Sequence, residues 1–565
     1  MSLLTKNYFN LLLIQCLILC VGFVPFVSAE TPDNKYKKFS ITGNYLAGQH
    51  AQFKGEHSLA ADFMLSILSK IRQSADLTRK TFLLLIREGR FDEAINLTKT
   101  FKKDDNEMGL TKLVLLVKKI KRKEFKSALK ELNKAPEDGF SEVTFPLLKA
   151  WTLLGQDKVD EAVKHLEGYK GRQSVSLLYK LHQALIYSAG DQNQQALKIL
   201  ESLLNDNQTL DFRLVQLAGN IYEITDQPNK AISLFKKFSK KTKNDLLLNA
   251  AKKRQRTGKI PSALIVNPND GIAEAFFGIA NSFKGQKAYE MALIFGRFGL
   301  YIKPKFPVML ILIGELLEMR NRLIDANQLY SKVQNDSPFR KESKLRIASN
   351  LHSLKKTDEA IILLRKLASA HPNDPEPLIQ VGDYLRSKER YAEAIIEYNE
   401  AMRRTGELKA HNWRLLYIRG VALEREKMWK KAEKDFLRAL DFKPNQPYVL
   451  NYLGYSYLEQ KTNLNEALEM IRKAVKLRPR DGYIIDSLGW GYYRLKKYEA
   501  AVLELERAVL YRPEDPIIND HLGDAYWKVG RKIEARFQWQ RSLSLEPKIE
   551  LLESVKNKLQ HGLRD

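Results

Sequence analysis

The chain has 565 residues, 44% hydrophobic and 28% charged, with 93 Lys and Arg against 67 Asp and Glu for a formal charge of +26. Such a composition excludes general disorder, and the length suits three or four ordinary domains or one extended repeat array. The two cysteines, Cys16 and Cys20, both fall within the first 29 residues, so the rest of the chain has no thiol for a disulfide, a metal or a nucleophile.

Residues 1–29 read as a secretory leader. After Lys6 no charge appears before Glu30, Leu11 to Val27 is apolar apart from Gln15, and Val27-Ser28-Ala29 supplies small residues for cleavage after Ala29. Retention of the apolar run as an N-terminal anchor is the alternative. Cys20 follows Leu19 and Cys16 follows Gln15, so neither has the small preceding residue of a lipoprotein signal. Export directs the positive charge away from nucleic acid and toward anionic lipid headgroups, cell-wall polymer or an acidic protein.

From residue 30 onward the dominant signal is self-similarity. Alanines recur at Ala60, Ala94, Ala128, Ala162, Ala196, Ala231, Ala292, Ala326, Ala360, Ala394, Ala432, Ala467, Ala501 and Ala535, 34 or 35 residues apart except for one gap of 61 and one of 38. Gly382, Gly420, Gly454, Gly489 and Gly523 precede five of them, and Pro444, Pro479, Pro513 and Pro547 close four units. The pattern resembles the tetratricopeptide repeat, a pair of antiparallel helices with small residues where the helices approach most closely. It predicts an all-α fold: a right-handed α-solenoid of about 14 helical hairpins. In the unit around Gly489 the spacing predicts helices over 482–495 and 498–511.

The expected division is an N-terminal array of degenerate repeats over 30–264, an interrupting loop over 265–275, a C-terminal array of strong repeats over 276–547 and a capping helix over 548–565. The loop is read from Pro268-Asn269-Asp270-Gly271, a turn-like run where a helix should continue. Just before it, Lys236, Lys237, Lys240, Lys241, Lys243, Lys252, Lys253, Arg254, Arg256 and Lys259 face a single acid, Asp245. This run is either a solvated helix surface or a contact for an anionic surface.

No phosphate loop, nucleophile elbow or His-Glu-x-x-His pair is present, and the nine histidines are scattered. Catalytic, cofactor-binding and metal residues are therefore not expected, and the protein is not expected to be an enzyme. The stretch "INDHLGDAYW" holds Asp520, His521 and Asp524, yet no second histidine lies in helical register with His521.

"NYLGYSYLEQ", "DGYIIDSLGWGYYRLKKYEAAV" and "INDHLGDAYWKVGRKIEARFQWQRSL" resemble the C-terminal repeats of exported tetratricopeptide proteins common in alphaproteobacteria, and "GNYLAGQHAQFKGEHSLAADF" resembles their first repeat. The resemblance implies that the first helix of each hairpin lines a concave groove. In three successive repeats the groove positions hold Asn451, Tyr455, Leu458 and Glu459; Asp486, Trp490, Tyr493 and Arg494; and Asp520, Asp524, Trp527 and Lys528. Aromatics beside acids and amides suit an extended peptide or a partner's loop. Chaperone-tail tetratricopeptide domains hold a terminal carboxylate with lysines and asparagines at such places; aspartates and tryptophans stand here, so that activity is not implied. The resemblance implies a periplasmic scaffold or adaptor for envelope proteins or peptides, set in envelope assembly or proteolysis. Lipid-anchored relatives bring cell-wall hydrolases to a processing protease, but this chain lacks their lipidation signal. The rival expectation is a basic peripheral binder of anionic membrane or cell-wall polymer, soluble or membrane-associated in the periplasm. No nucleic-acid partner is expected.

Overall fold

The computed structural model describes residues 40–71, 74–101, 109–136, 139–169, 173–206, 211–242 and 244–563. The leader and Lys243 lie outside the described residues. Among the described residues there are thirty α-helices, one short 3-10 turn and no strand. No described helix is long and apolar enough to cross a membrane.

The chain forms two compact units divided between Asn350 and Leu351. In unit 1 the helices are α1 (Ile41–Phe53), α2 (His57–Leu68), α3 (Ala75–Glu88), α4 (Phe91–Thr98), α5 (Gly109–Lys121), α6 (Phe125–Leu132), α7 (Ser141–Leu154), α8 (Val159–Glu167), α9 (Gln173–Ala189), α10 (Asn193–Asp206), α11 (Phe212–Ile224), α12 (Pro228–Thr242), α13 (Leu246–Thr257), α14 (Pro268–Gly285), α15 (Tyr289–Ile302), α16 (Pro307–Glu318) and α17 (Leu323–Ser331). Helix α18 (Arg340–Ser353) carries the division. Unit 2 continues with α19 (Thr357–Ala370), α20 (Glu376–Ser387), α21 (Tyr391–Thr405), α22 (Trp413–Arg425), α23 (Trp429–Phe442), α24 (Pro447–Glu459), α25 (Leu464–Leu477), α26 (Gly482–Arg494), α27 (Tyr498–Tyr511), α28 (Pro516–Lys528), α29 (Lys532–Ser544) and α30 (Ile549–His561).

All fourteen periodic alanines are fully buried, each on the later helix of a pair. The glycines explain why only small residues fit opposite them. A Cβ on Gly523 would stand 2.5 Å from the Trp539 ring, and one on Gly382 would stand 2.3 Å from Tyr398. Proline opens α24 and α28 within the first turn, where its missing N–H costs no helical bond.

Two boundaries differ from the sequence reading. Residues 268–275 are helical rather than a loop, because Asn267 caps α14 by accepting from the Asp270 N–H and Pro268 occupies the first turn. The irregular stretch is 259–267, upstream of that proline. The 61-residue gap thus holds an extra helix, α13, and this irregular stretch. Second, the compact units part at Asn350 rather than at the interruption, because α14 and α15 fold back onto the helices before them.

Helix α14 packs on α7 and α9, and α15 on α3 and α5. Gly271 lies so close to the buried Trp151 that a Cβ there would meet the indole at 2.3 Å. Phe91 meets Phe298 at 5.0 Å and stacks on Tyr301 at 4.4 Å. From α16–α17, Arg322 grips Glu88 through two bonds of 2.7 Å, a bidentate pair that fixes geometry as well as charge.

Candidate partner-binding groove

In unit 2 the first helices of successive pairs lie side by side, α24 on α26 and α26 on α28. Between them, and reaching back to α22, runs a groove of about 610 Å³. Asn451, Tyr452 and Tyr455 line it from α24, Tyr483 and Asp486 from α26, and Ile517, Ile518 and His521 from α28. Glu424, Glu459, Asp486 and Asp515 also line it, against one arginine, Arg425, so the groove is acidic within a strongly basic chain. The Tyr452 hydroxyl donates to Glu424 at 3.0 Å, and Asp515 caps α28. Burial, then the charges of Glu459 and Asp486, hold the Tyr455 phenol above its ordinary pKa, so it stays a neutral donor.

One wall of this groove is built as a unit. His521 Nδ1 donates to Asp486 at 2.9 Å, and its ring stacks on Trp490 with centroids 4.0 Å apart. Trp490 also stacks on Tyr493 at 4.7 Å and donates its Nε1 proton to Glu459 at 2.9 Å. Arg494 stands 3.7 Å from Glu459. Burial disfavours the imidazolium, but Asp486 opposite, reinforced by Asp520 and Asp524, outweighs burial and raises the His521 pKa above its ordinary value. The sequence reading left His521 without a role. Asp486 and His521 are 35 residues apart, one repeat plus one residue, and that offset is the signal that would have found the pair.

The third rung of the expected ladder is not on the open groove. Asp520 and Asp524 are buried and held by Lys558 of α30 at 2.8 Å each, and Asp524 also accepts from Trp539 Nε1 at 2.9 Å. Burial, then the neighbouring Asp520, pushes the Asp524 carboxyl above its usual range. Trp527 packs on Trp539 at 5.3 Å, under Lys532 and Arg536, with Gly562 against its ring. The capping helix therefore covers Asp520 and Asp524, while Trp527 is half-buried beside it. Lys528, half-buried, ends the same helix. Of the predicted residues, Asn451, Tyr455 and Asp486 line the groove; Trp490, Tyr493 and Arg494 do not, and reach it only through their contacts with His521 and Glu459.

Among the predicted basic residues, Lys236, Lys237, Lys240 and Lys241 are exposed on α12, and Lys252, Lys253 and Arg256 on α13. Arg254 is different: it bonds Glu223 at 3.0 and 2.7 Å and belongs to the packing of α13 on α11. Among the described residues, no group of three His, Cys, Asp or Glu could hold a metal ion.

Two family models, both described as tetratricopeptide repeat, match the chain: one over residues 378–447 and 487–544, the other over 342–374. The matched segments are tetratricopeptide repeats. The fold is accordingly an all-α tetratricopeptide solenoid. No curated protein matches the chain. Similar solved structures include a tetratricopeptide repeat protein from Parabacteroides merdae, 15% identical with a TM-score of 0.39, covering 45% of this chain and 98% of that one. The Cut9–Hcn1 hetero-tetramer of the APC/C is 14% identical with a TM-score of 0.38, covering 94% of this chain and 98% of that one. YrrB, described as a TPR protein with an unusual peptide-binding site, is 18% identical with a TM-score of 0.27, covering 34% and 97%.

Proposed function

We propose that this protein is a scaffold or adaptor that binds protein partners, and that the groove of unit 2 takes an extended segment of the partner's chain. The observation that carries this reading is the groove itself. About 610 Å³ of space lies between an amide, Asn451, a neutral phenol, Tyr455, and a braced aromatic wall, His521 on Trp490. Side chains locked by stacking and ion pairing lose little freedom on binding, so the surface is preorganised. Amide and phenol serve main-chain hydrogen bonds, and the rings serve flat contacts. The leader-like first 29 residues and the resemblance to exported repeat proteins support a periplasmic setting for this activity, in envelope assembly or proteolysis.

A photo-crosslinking residue at position 455, with the protein pulled from envelope extracts, tests this. The expected result is a discrete adduct that disappears with Asn451→Ala and Trp490→Ala and is absent when the crosslinker replaces Leu510, an exposed residue on α27. An adduct pattern identical at 455 and 510 contradicts the proposal.

A second reading is favoured by one observation: the lysines of α12 and α13 remain exposed on successive helices. It predicts sedimentation with anionic vesicles or cell-wall sacculi that weakens with salt and is lost when Lys236, Lys237, Lys240, Lys252 and Lys253 are neutralised.

A further inference from the structure

Helix α11 presents Arg213, Gln216, Asn220 and Glu223 along one face, at spacings of three and four residues. Each is engaged. Glu223 holds Arg254. Arg213 holds Gln216 at 2.6 Å and, at 2.9 and 2.5 Å, the buried Glu274 of α14. Between these anchors runs the irregular segment 259–267, and Asn220 bonds its backbone at Ser262 and at Leu264. Asn220 Nδ2 donates to the Ser262 carbonyl at 3.0 Å, and Asn220 Oδ1 accepts from the Leu264 N–H at 2.9 Å. These bonds are made to main chain and so do not depend on the side chains of the segment. Ile265 is buried, whereas Ile260 and Val266 are 73% and 58% exposed. Beside the segment a cavity of about 180 Å³ stays open, lined by Phe235, Leu247, Phe306 and Phe339 and by Pro261 and Leu264 of the segment itself.

We propose that residues 259–266 are an intramolecular ligand: they occupy a second peptide-binding groove, on α11, as an extended partner peptide would, and keep that groove closed. A tethered segment competes at an effective concentration of about millimolar. The intact chain therefore binds peptide there only weakly, and displacement of the strap opens the site. This site is separate from the unit 2 groove and stands or falls independently of it.

The test uses the full-length chain with residues 259–266 replaced by a Gly/Ser segment of equal length, and a fluorescent peptide of sequence Lys-Ile-Pro-Ser-Ala-Leu-Ile-Val. The replaced chain should bind the peptide, wild type should bind it at least about tenfold more weakly, and Asn220→Ala in the replaced chain should abolish binding. In otherwise wild-type protein, Asn220→Ala should speed hydrogen exchange at the Leu264 amide about tenfold. A folded replacement that ignores the peptide, or binding indifferent to Asn220→Ala, overturns the proposal. So does a replacement that loses the wild-type helical circular dichroism, because the segment would then be a part of the fold and not a ligand. An unchanged Leu264 exchange rate overturns it as well.

Discussion

At the scale of single residues, His521 carries the most informative chemistry. Its folded pKa is raised above the ordinary value of about 6.5, so its pairing with Asp486 stabilises unit 2 fully below that pH and ceases to do so as pH rises through the folded value. Asp486→Asn should therefore cost about 1–3 kcal/mol near pH 6 and distinctly less near pH 9, measured as the difference in thermal midpoint from wild type. Asp520 and Asp524 also favour the His521 charge and remain in both proteins, so the difference reads the Asp486 pairing on that shared background. A gap that stays constant with pH would mean His521 is neutral in the fold. Gly523 states the packing argument in its simplest form: a methyl group there meets Trp539 at 2.5 Å, within a fully buried ring. Gly523→Ala should destabilise unit 2 by about 1–3 kcal/mol in urea unfolding, the ordinary cost of overpacking.

At the scale of elements, much was legible because the repeat imposes its own period. The helices expected over 482–495 and 498–511 occur at Gly482–Arg494 and Tyr498–Tyr511, and the capping helix at Ile549–His561. Pro268-Asn269-Asp270-Gly271 misled because the same residue types open helices and make turns; Asn267 before Pro268 is a cap followed by a first-turn proline, which was the signal to use. The cap α30 was expected to close the last hydrophobic face, and Val555 is fully buried there. That it also carries a lysine to two buried carboxylates was not legible, since nothing local to Lys558 marks Asp520 and Asp524, more than thirty residues upstream, as its partners. Lys558→Ala leaves both carboxylates buried without a cation and should cost about 3–5 kcal/mol in urea unfolding of unit 2. The loss should shrink as pH falls and Asp524, whose carboxyl is already pushed up by burial, takes up a proton. A loss below about 1 kcal/mol at neutral pH would mean that α30 rests only on its apolar face.

At the scale of the molecule, the period says how many hairpins form but not which inner faces remain open. In unit 1, α14 and α15 pack across α3, α5, α7 and α9; in unit 2 a groove reaching from α22 to α28 stays open. The burial pattern of α14 hints at this, because Gly271 to Phe276 is an unbroken buried run, as in a helix enclosed by protein on several sides. The covering itself depends on long-range pairs such as Arg322 with Glu88, whose members are 234 residues apart. The central claim is that partners enter through the open groove of unit 2. Hydrogen exchange across the whole chain, with and without the partner recovered through the crosslink at 455, tests it most directly. The account predicts slower exchange in α24 and α26, with α12 and α13 unchanged. Slowing confined to α12 and α13, or to helices of unit 1, would contradict it.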